Sequence, residues 1–182
     1  ALPGTSRRQR QMCIRDSFNL TSNVNGFSEW LLSKDLIYVG GGNTSFMLEI
    51  WKKNNLEEIF KIAYEKGIIL SGVSAGGVCW FDWILTDSLG SGYKALKGIN
   101  LISGSCTPHS SENNRMSQYQ SEIQKNKLPP GVAIDDGVAV LFVNGVAKEV
   151  YSTRENCDAY FIDNNNKISL KEYCLLYTSP SP

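Results

Sequence analysis

Apolar and polar positions along the chain fall into repeating blocks. A short run of β-branched and aromatic residues is followed by glycine or asparagine, then by a longer stretch with apolar residues three or four apart. DLIYVGGG, Asp35 to Gly42, reads as a buried strand ending in glycines. Asn43 and Thr44 are suited to cap a helix whose apolar positions Phe46, Met47, Ile50 and Trp51 recur at helical spacing. Asn54 and Asn55 interrupt that pattern, and Leu56, Ile59, Phe60 and Ala63 start a second amphipathic stretch, closed by Gly67 before a strand at Ile68 to Leu70. Ala75 to Trp83 has the length and composition of a buried helix, Ile99 to Ile102 forms another strand candidate, and Ser111 to Lys127 is polar with helical character. Strand and helix in alternation predict an α/β domain with a mainly parallel sheet.

The last third changes style. GVAI, Asp135-Asp136-Gly137, VAVLFV, Asn144-Gly145 and VAKEVY read as β-hairpins, because Asp-Gly and Asn-Gly supply the positive φ of tight turns. The two ends match neither style. Residues 1–17 are basic and aperiodic, and CLLYTSPSP, residues 174–182, breaks off into Ser and Pro. Both stretches resemble translated sequencing-adapter read-through, which would leave Phe18 to Tyr173 as native sequence. A basic arm and a flexible tail are the other reading.

Composition narrows the function classes. Of 182 residues, 42% are hydrophobic, enough for a substantial core, and eighteen Lys plus Arg balance eighteen Asp plus Glu. That balance provides no field to recruit nucleic acid or an anionic membrane, so a small molecule or another protein is the expected partner. Five cysteines without a CxxC pair fit reduced thiols in the cytoplasm better than a disulfide framework. No apolar run approaches the roughly 18 to 20 residues of a membrane span. One histidine and scattered cysteines argue against a zinc site, and no cofactor or metal is expected.

The candidate chemistry centres on GIILSGVSAGGVCW. Gly72-Val73-Ser74-Ala75-Gly76 fits the G-x-S-x-G pattern of a nucleophile elbow, placed after an apolar strand and before a helix. Small neighbours let such a turn thrust the hydroxyl outward, and the free N–H groups of the helix start face the place where an oxyanion develops. Ala75 N–H is the natural first donor, and the strand end Gly40-Gly41-Gly42 can supply a second. A glycine-rich turn with an incidental serine satisfies the same pattern. Any Ser-His mechanism must use His109, the only histidine, which follows a strand candidate in Ser105-Cys106-Thr107-Pro108-His109. Asp82, Asp87, Glu112, Asp135 and Asp136 are candidates for the orienting acid. Asp87 lies in a loop that could return toward the histidine, Asp82 sits within the predicted helix, and Asp135-Asp136-Gly137 is more simply a turn. The glycine run fits neither G-x-G-x-x-G nor a phosphate loop, and Asp163 to Lys167 reads as a turn rather than a calcium loop.

YVGGGNT, GVSAGG, the Cys-Thr-Pro-His segment and GVAIDDGVAV, in that order, resemble the peptidase E family of serine peptidases over about Phe18 to Tyr173. The resemblance implies the flavodoxin-like fold of class I glutamine amidotransferases, with serine in place of their cysteine. It implies Ser74 as nucleophile, His109 as general base, Asp87 as orienting acid, and Gly41 or Gly42 with Ala75 as the oxyanion hole. Arg115 and Asn43 become substrate contacts, with Arg115 pairing the side-chain carboxylate of an N-terminal aspartate in dipeptides of the form Asp-X. The family's opening strand and helix units have no counterpart before Phe18, so an exposed sheet face, an unpaired edge and weak activity are expected. A β-aspartyl or other amide hydrolase like the cyanophycinases, and a non-catalytic binding protein with the same fold, keep the same residues for other purposes.

Overall fold

The computed structural model describes residues 17–20, 24–112 and 114–178. The proposed non-native ends lie largely outside these residues; within them, a helix runs from Leu170 to Thr178 across the boundary drawn at residue 174.

Three α/β units carry the first half. Helix α1 (Phe27–Leu32) leads to β1 (Leu36–Val39), and Asn43 caps α2 (Thr44–Lys53) by accepting a 2.9 Å hydrogen bond from the Phe46 N–H. Helix α3 (Leu56–Glu65) precedes β2 (Ile69–Gly72), which runs parallel to β1 from Leu36↔Ile69 to Val39↔Gly72. Leu56, Phe60 and Ala63, spaced as an amphipathic helix requires, are buried. Trp51 of α2 and Phe60 of α3 meet with ring centroids 4.3 Å apart, and both rest against Trp80, at 5.9 and 5.4 Å. This aromatic cluster braces the segment just beyond Ser74.

The predicted helix from Ala75 to Trp83 holds only over its first turn. Only Ala75–Val78 is helical (α4), and Phe81–Thr86 forms β3, so Asp82 lies in a strand. Gly76 and Gly77 are weak helix formers, while Phe81, Trp83, Ile84 and Thr86 favour a pleated surface. Strand β3 sits between β4 (Lys94–Lys97), antiparallel to it, and β5 (Ile102–Thr107), parallel to it. Helix α5 (Arg115–Gln124) then crosses back to β6 (Gly131–Ile134), parallel to β5. The apparent Asp-Gly hairpin after β6 does not form. Strand β6 instead pairs with β9 (Ala159–Ile162), while β7 (Val138–Val143) pairs with β8 (Val146–Ser152) in a separate ribbon. The Asn144-Gly145 turn of that ribbon forms as expected, with φ of 52° and 77°.

The six-stranded sheet has the order β10-β9-β6-β5-β3-β4, with β10 (Lys167–Ser169) joined to β9 by the Asp163–Asn166 turn. It is mixed rather than mainly parallel. A parallel connection needs a crossover of about a dozen residues or more, which α5 provides between β5 and β6; the short turn between β9 and β10 can only reverse the chain. Helix α6 (Leu170–Thr178) follows β10. Among the described residues β1 and β2 pair only with each other, and Leu36, Tyr38 and Ile69 are 52%, 64% and 58% exposed. No helix among these residues is long and apolar enough to cross a membrane.

Candidate active site

Strands β3, β5 and β6 run side by side in one direction, so Asp87, His109 and Asp136 all emerge just past their carboxyl ends, on one edge of the sheet. His109 belongs to the middle strand and has a carboxylate on either side. Ser74 arrives at the same edge from β2.

Ser74 adopts φ 53° and ψ −119°, a conformation that L residues rarely take and that costs on the order of 1–3 kcal/mol. The elbow around it is closed by direct backbone contact. A Cβ on Gly72 would lie 2.2 Å from the Gly76 carbonyl oxygen, and one on Gly76 would lie 2.2 Å from the Val39 oxygen. Both glycines of G-x-S-x-G are thus required by the approach of strand, helix and neighbouring strand. The Gly76, Gly77 and Val78 N–H groups bond back to the Val73 and Ser74 carbonyls. The Ala75 N–H has no such partner among the described residues, and a Cβ on Gly41 would stand 3.4 Å from the Ser74 Cβ. Gly42 lines the same cavity as Ser74, which brings the end of the glycine run to the site.

Ser74 Oγ is 2.8 Å from His109 Nε2, and His109 Nδ1 bonds to an Asp136 carboxylate oxygen. With Nδ1–H donated to Asp136, Nε2 is left to accept the serine proton. The acid beside the histidine is therefore Asp136, and Asp87 is not brought to it. The reason is the neighbourhood of each carboxylate. Asp87 Oδ2 accepts a 2.9 Å hydrogen bond from Arg115 Nη2, whereas Asp136 sits on a turn that the structure pins. Buried Asp135 accepts from Ser110 Oγ at 2.5 Å and from the Asp158 N–H at 3.1 Å, and the Ser110 N–H bonds to the Ile134 carbonyl. These bonds lock the residue after His109 to the residues before Asp136. Asp135-Asp136-Gly137 is the turn that its sequence predicts, and what makes Asp136 a candidate is that this turn ends a strand parallel to the histidine's own.

Arg115 is 3% exposed. Its Nη1 donates to the Pro108 carbonyl at 3.1 Å, its Nη2 to Asp87, and its guanidinium lies 4.7 Å from the Tyr93 ring centroid. Its buried Nε–H has no partner among the described residues. A free fork for bidentate carboxylate binding is therefore not what the fold presents. Asn43 is likewise committed, because its side-chain oxygen accepts from both the Phe46 N–H and the Ser45 hydroxyl. Ser74, His109, Asp87, Glu112, Arg115 and Gly42 share a cavity of about 240 Å³. That is below the roughly 300–1,000 Å³ of sites for drug-sized ligands and suits a small group. His109, Glu112 and Asp136 offer ligand atoms within 4.8 Å of one another, but a metal bound there would compete with the Ser74–His109–Asp136 chain.

The buried thiols take no part in this site. Burial pushes the Cys79 and Cys106 thiols well above their ordinary pKa, and Cys79 Sγ donates to the Gly76 carbonyl at 3.3 Å.

Comparison with known proteins points to a peptidase family. The sequence pattern described as Peptidase family S51 matches residues 17–150. A Bacillus subtilis (strain 168) protein described as "Uncharacterized peptidase YgaJ" is 38% identical over 132 residues, 72% of this chain and 57% of that relative. The chain thus spans little more than half the length of the relative it matches.

Proposed function

Because this chain belongs to peptidase family S51, the peptidase E family, we propose that it is a serine peptidase that hydrolyses short peptides through an acyl-enzyme on Ser74. The observation that carries the reading is the Ser74 Oγ to His109 Nε2 distance of 2.8 Å, with Nδ1 held by Asp136. His109 takes the Ser74 proton as Oγ attacks the scissile carbonyl. The oxyanion that forms is met by the Ala75 N–H and by the amide of Gly41 or Gly42. His109 then gives its proton to the leaving amine, and a water deprotonated by His109 releases the acyl group from Ser74. Asp136 orients the imidazole and stabilises its charged form. The parallel β3, β5 and β6 core, and the β1–α2–α3–β2–α4 order before it, support a flavodoxin-like arrangement.

The substrate we favour is a dipeptide with N-terminal aspartate. Arg115 supports it as a cationic side chain that lines the same cavity as Ser74. Ser74→Ala and His109→Ala should each lower Asp-X hydrolysis at least 10³-fold. Near-normal turnover in either would sink the mechanism. Arg115→Ala should raise KM for Asp-X more than for a neutral dipeptide; an equal effect on both removes the aspartate preference. A parallel set of β-aspartyl dipeptides decides whether the α or β linkage is cleaved.

A further inference from the structure

We propose that Asp87 receives the protonated α-amino group of the substrate, which would make the site one for the amino-terminal residue of a peptide. The inference rests on the Ser74 peptidase reading and adds to it the recognition of a cationic group.

Asp87 is the most exposed member of a buried arrangement. Its side chain is 64% exposed, while the arginine that holds it is 3% exposed. Only Oδ2 is engaged, by Arg115; Oδ1 has no hydrogen-bond partner among the described residues. The carboxylate is nevertheless held in place. Arg115 is anchored by the Pro108 carbonyl and the Tyr93 ring, and the loop after Asp87 is tied down from two sides. The Ser88 N–H donates to Thr86 Oγ1 at 3.1 Å, and Ser88 Oγ accepts from the Ser45 N–H at 3.0 Å. A fixed carboxylate with one free oxygen is a preorganised acceptor for an ammonium group.

Its location fits that role. In a peptide attacked at its first carbonyl, the α-amino group is separated from the reacting carbon by one atom, so it must occupy the same small cavity as the nucleophile. Asp87 lines that cavity with Ser74 and His109. The charges in its wall are Asp87 and Glu112 against Arg115, so one negative charge is left over where a cation would sit. Had Arg115 stood free, the cavity would select anions at this position; paired with Asp87, it serves to hold a carboxylate there.

The test needs no turnover. A fluorophosphonate probe labels Ser74 at pH 7, and aspartic acid α-amide is compared, as a protecting ligand, with the analogue in which hydroxyl replaces the amino group. The two differ little in size, and only the first is cationic, because an α-amino group titrates near roughly 7.7–8.0. We expect the amino compound to protect at concentrations at least tenfold lower, and Asp87→Asn to bring the two within about threefold. Asp87→Glu, which restores a carboxylate, should recover part of the difference. Equal protection by both compounds in the unaltered chain overturns the inference, as does an unchanged ratio in Asp87→Asn. Labelling with equal protection leaves the Ser74 reading standing, whereas failure of Ser74 to label at all removes both.

Discussion

The elbow around Ser74 makes a steric claim that one methyl group can test. Gly76 lies beneath β1, where an added Cβ would stand 2.2 Å from the Val39 oxygen and 2.6 Å from the Gly40 oxygen. Both are backbone atoms, and ordinary contact begins at 3.4 Å, so a rearrangement of more than an ångström is required. It cannot be absorbed by a rotamer change. Either β1 moves away from α4, or the turn carrying Ser74 tilts. Overpacking of this kind costs typically 1–3 kcal/mol. For a domain of this size, about 1 kcal/mol lowers Tm by roughly 2–4 °C. Gly76→Ala should therefore melt roughly 2–12 °C lower. Because the glycine run beside Ser74 follows directly from β1, the proposed oxyanion donors and nucleophile would also lose register. A misplacement of about 1 Å costs on the order of 10²-fold in rate. Gly40→Ala is the control. A Cβ there meets nothing within 4 Å, and its Tm should stay within about 2 °C. Scanning calorimetry and the initial rate of Asp-X hydrolysis on both variants provide the comparison. If Gly76→Ala melts and turns over like Gly40→Ala, the close approach of β1 to the elbow is wrong, and with it the geometry assigned to Ser74.

Two further expectations concern the carboxylates beside the site and the buried thiols. Asp136→Asn should lower kcat on the order of 10³- to 10⁴-fold, as loss of the orienting carboxylate does in a Ser-His-Asp arrangement, while Asp87→Asn should leave Ser74 reactive to phosphonate; the reverse pattern would return the orienting role to Asp87. Cys79 and Cys106 should resist alkylation at pH 8 in the folded protein, because burial raises both thiol pKa values and leaves almost no thiolate below them, whereas partly exposed Cys157 should react. Mass mapping after iodoacetamide treatment, with and without denaturant, checks this. Modification of Cys79 at the rate of Cys157 would show that the elbow helix is not sealed.

Much of the site could be read from the chain because its signals are local. Gly72 to Gly76 must close on itself within five residues, Asn43 caps the helix that begins beside it, and a single histidine leaves no choice of base. Helix α3 follows its own apolar spacing in the same way. What local pattern could not supply is which distant strands become neighbours. The Ala75–Trp83 stretch is short and apolar, a composition shared by a buried helix and a central strand, and only its pairing with β4 and β5 makes Phe81–Thr86 a strand. The orienting acid was undecidable for the same reason. Asp87 and Asp136 both follow strands that flank the histidine's strand, and each looks suitable from the sequence. Tertiary packing separates them: α5 brings Arg115 to Asp87 and removes it from the competition, while Asp135, Ser110 and Asp158 fasten the turn that presents Asp136. The residues proposed as nucleophile and base are legible in short segments, whereas which carboxylate meets the histidine depends on the order of strands in the sheet.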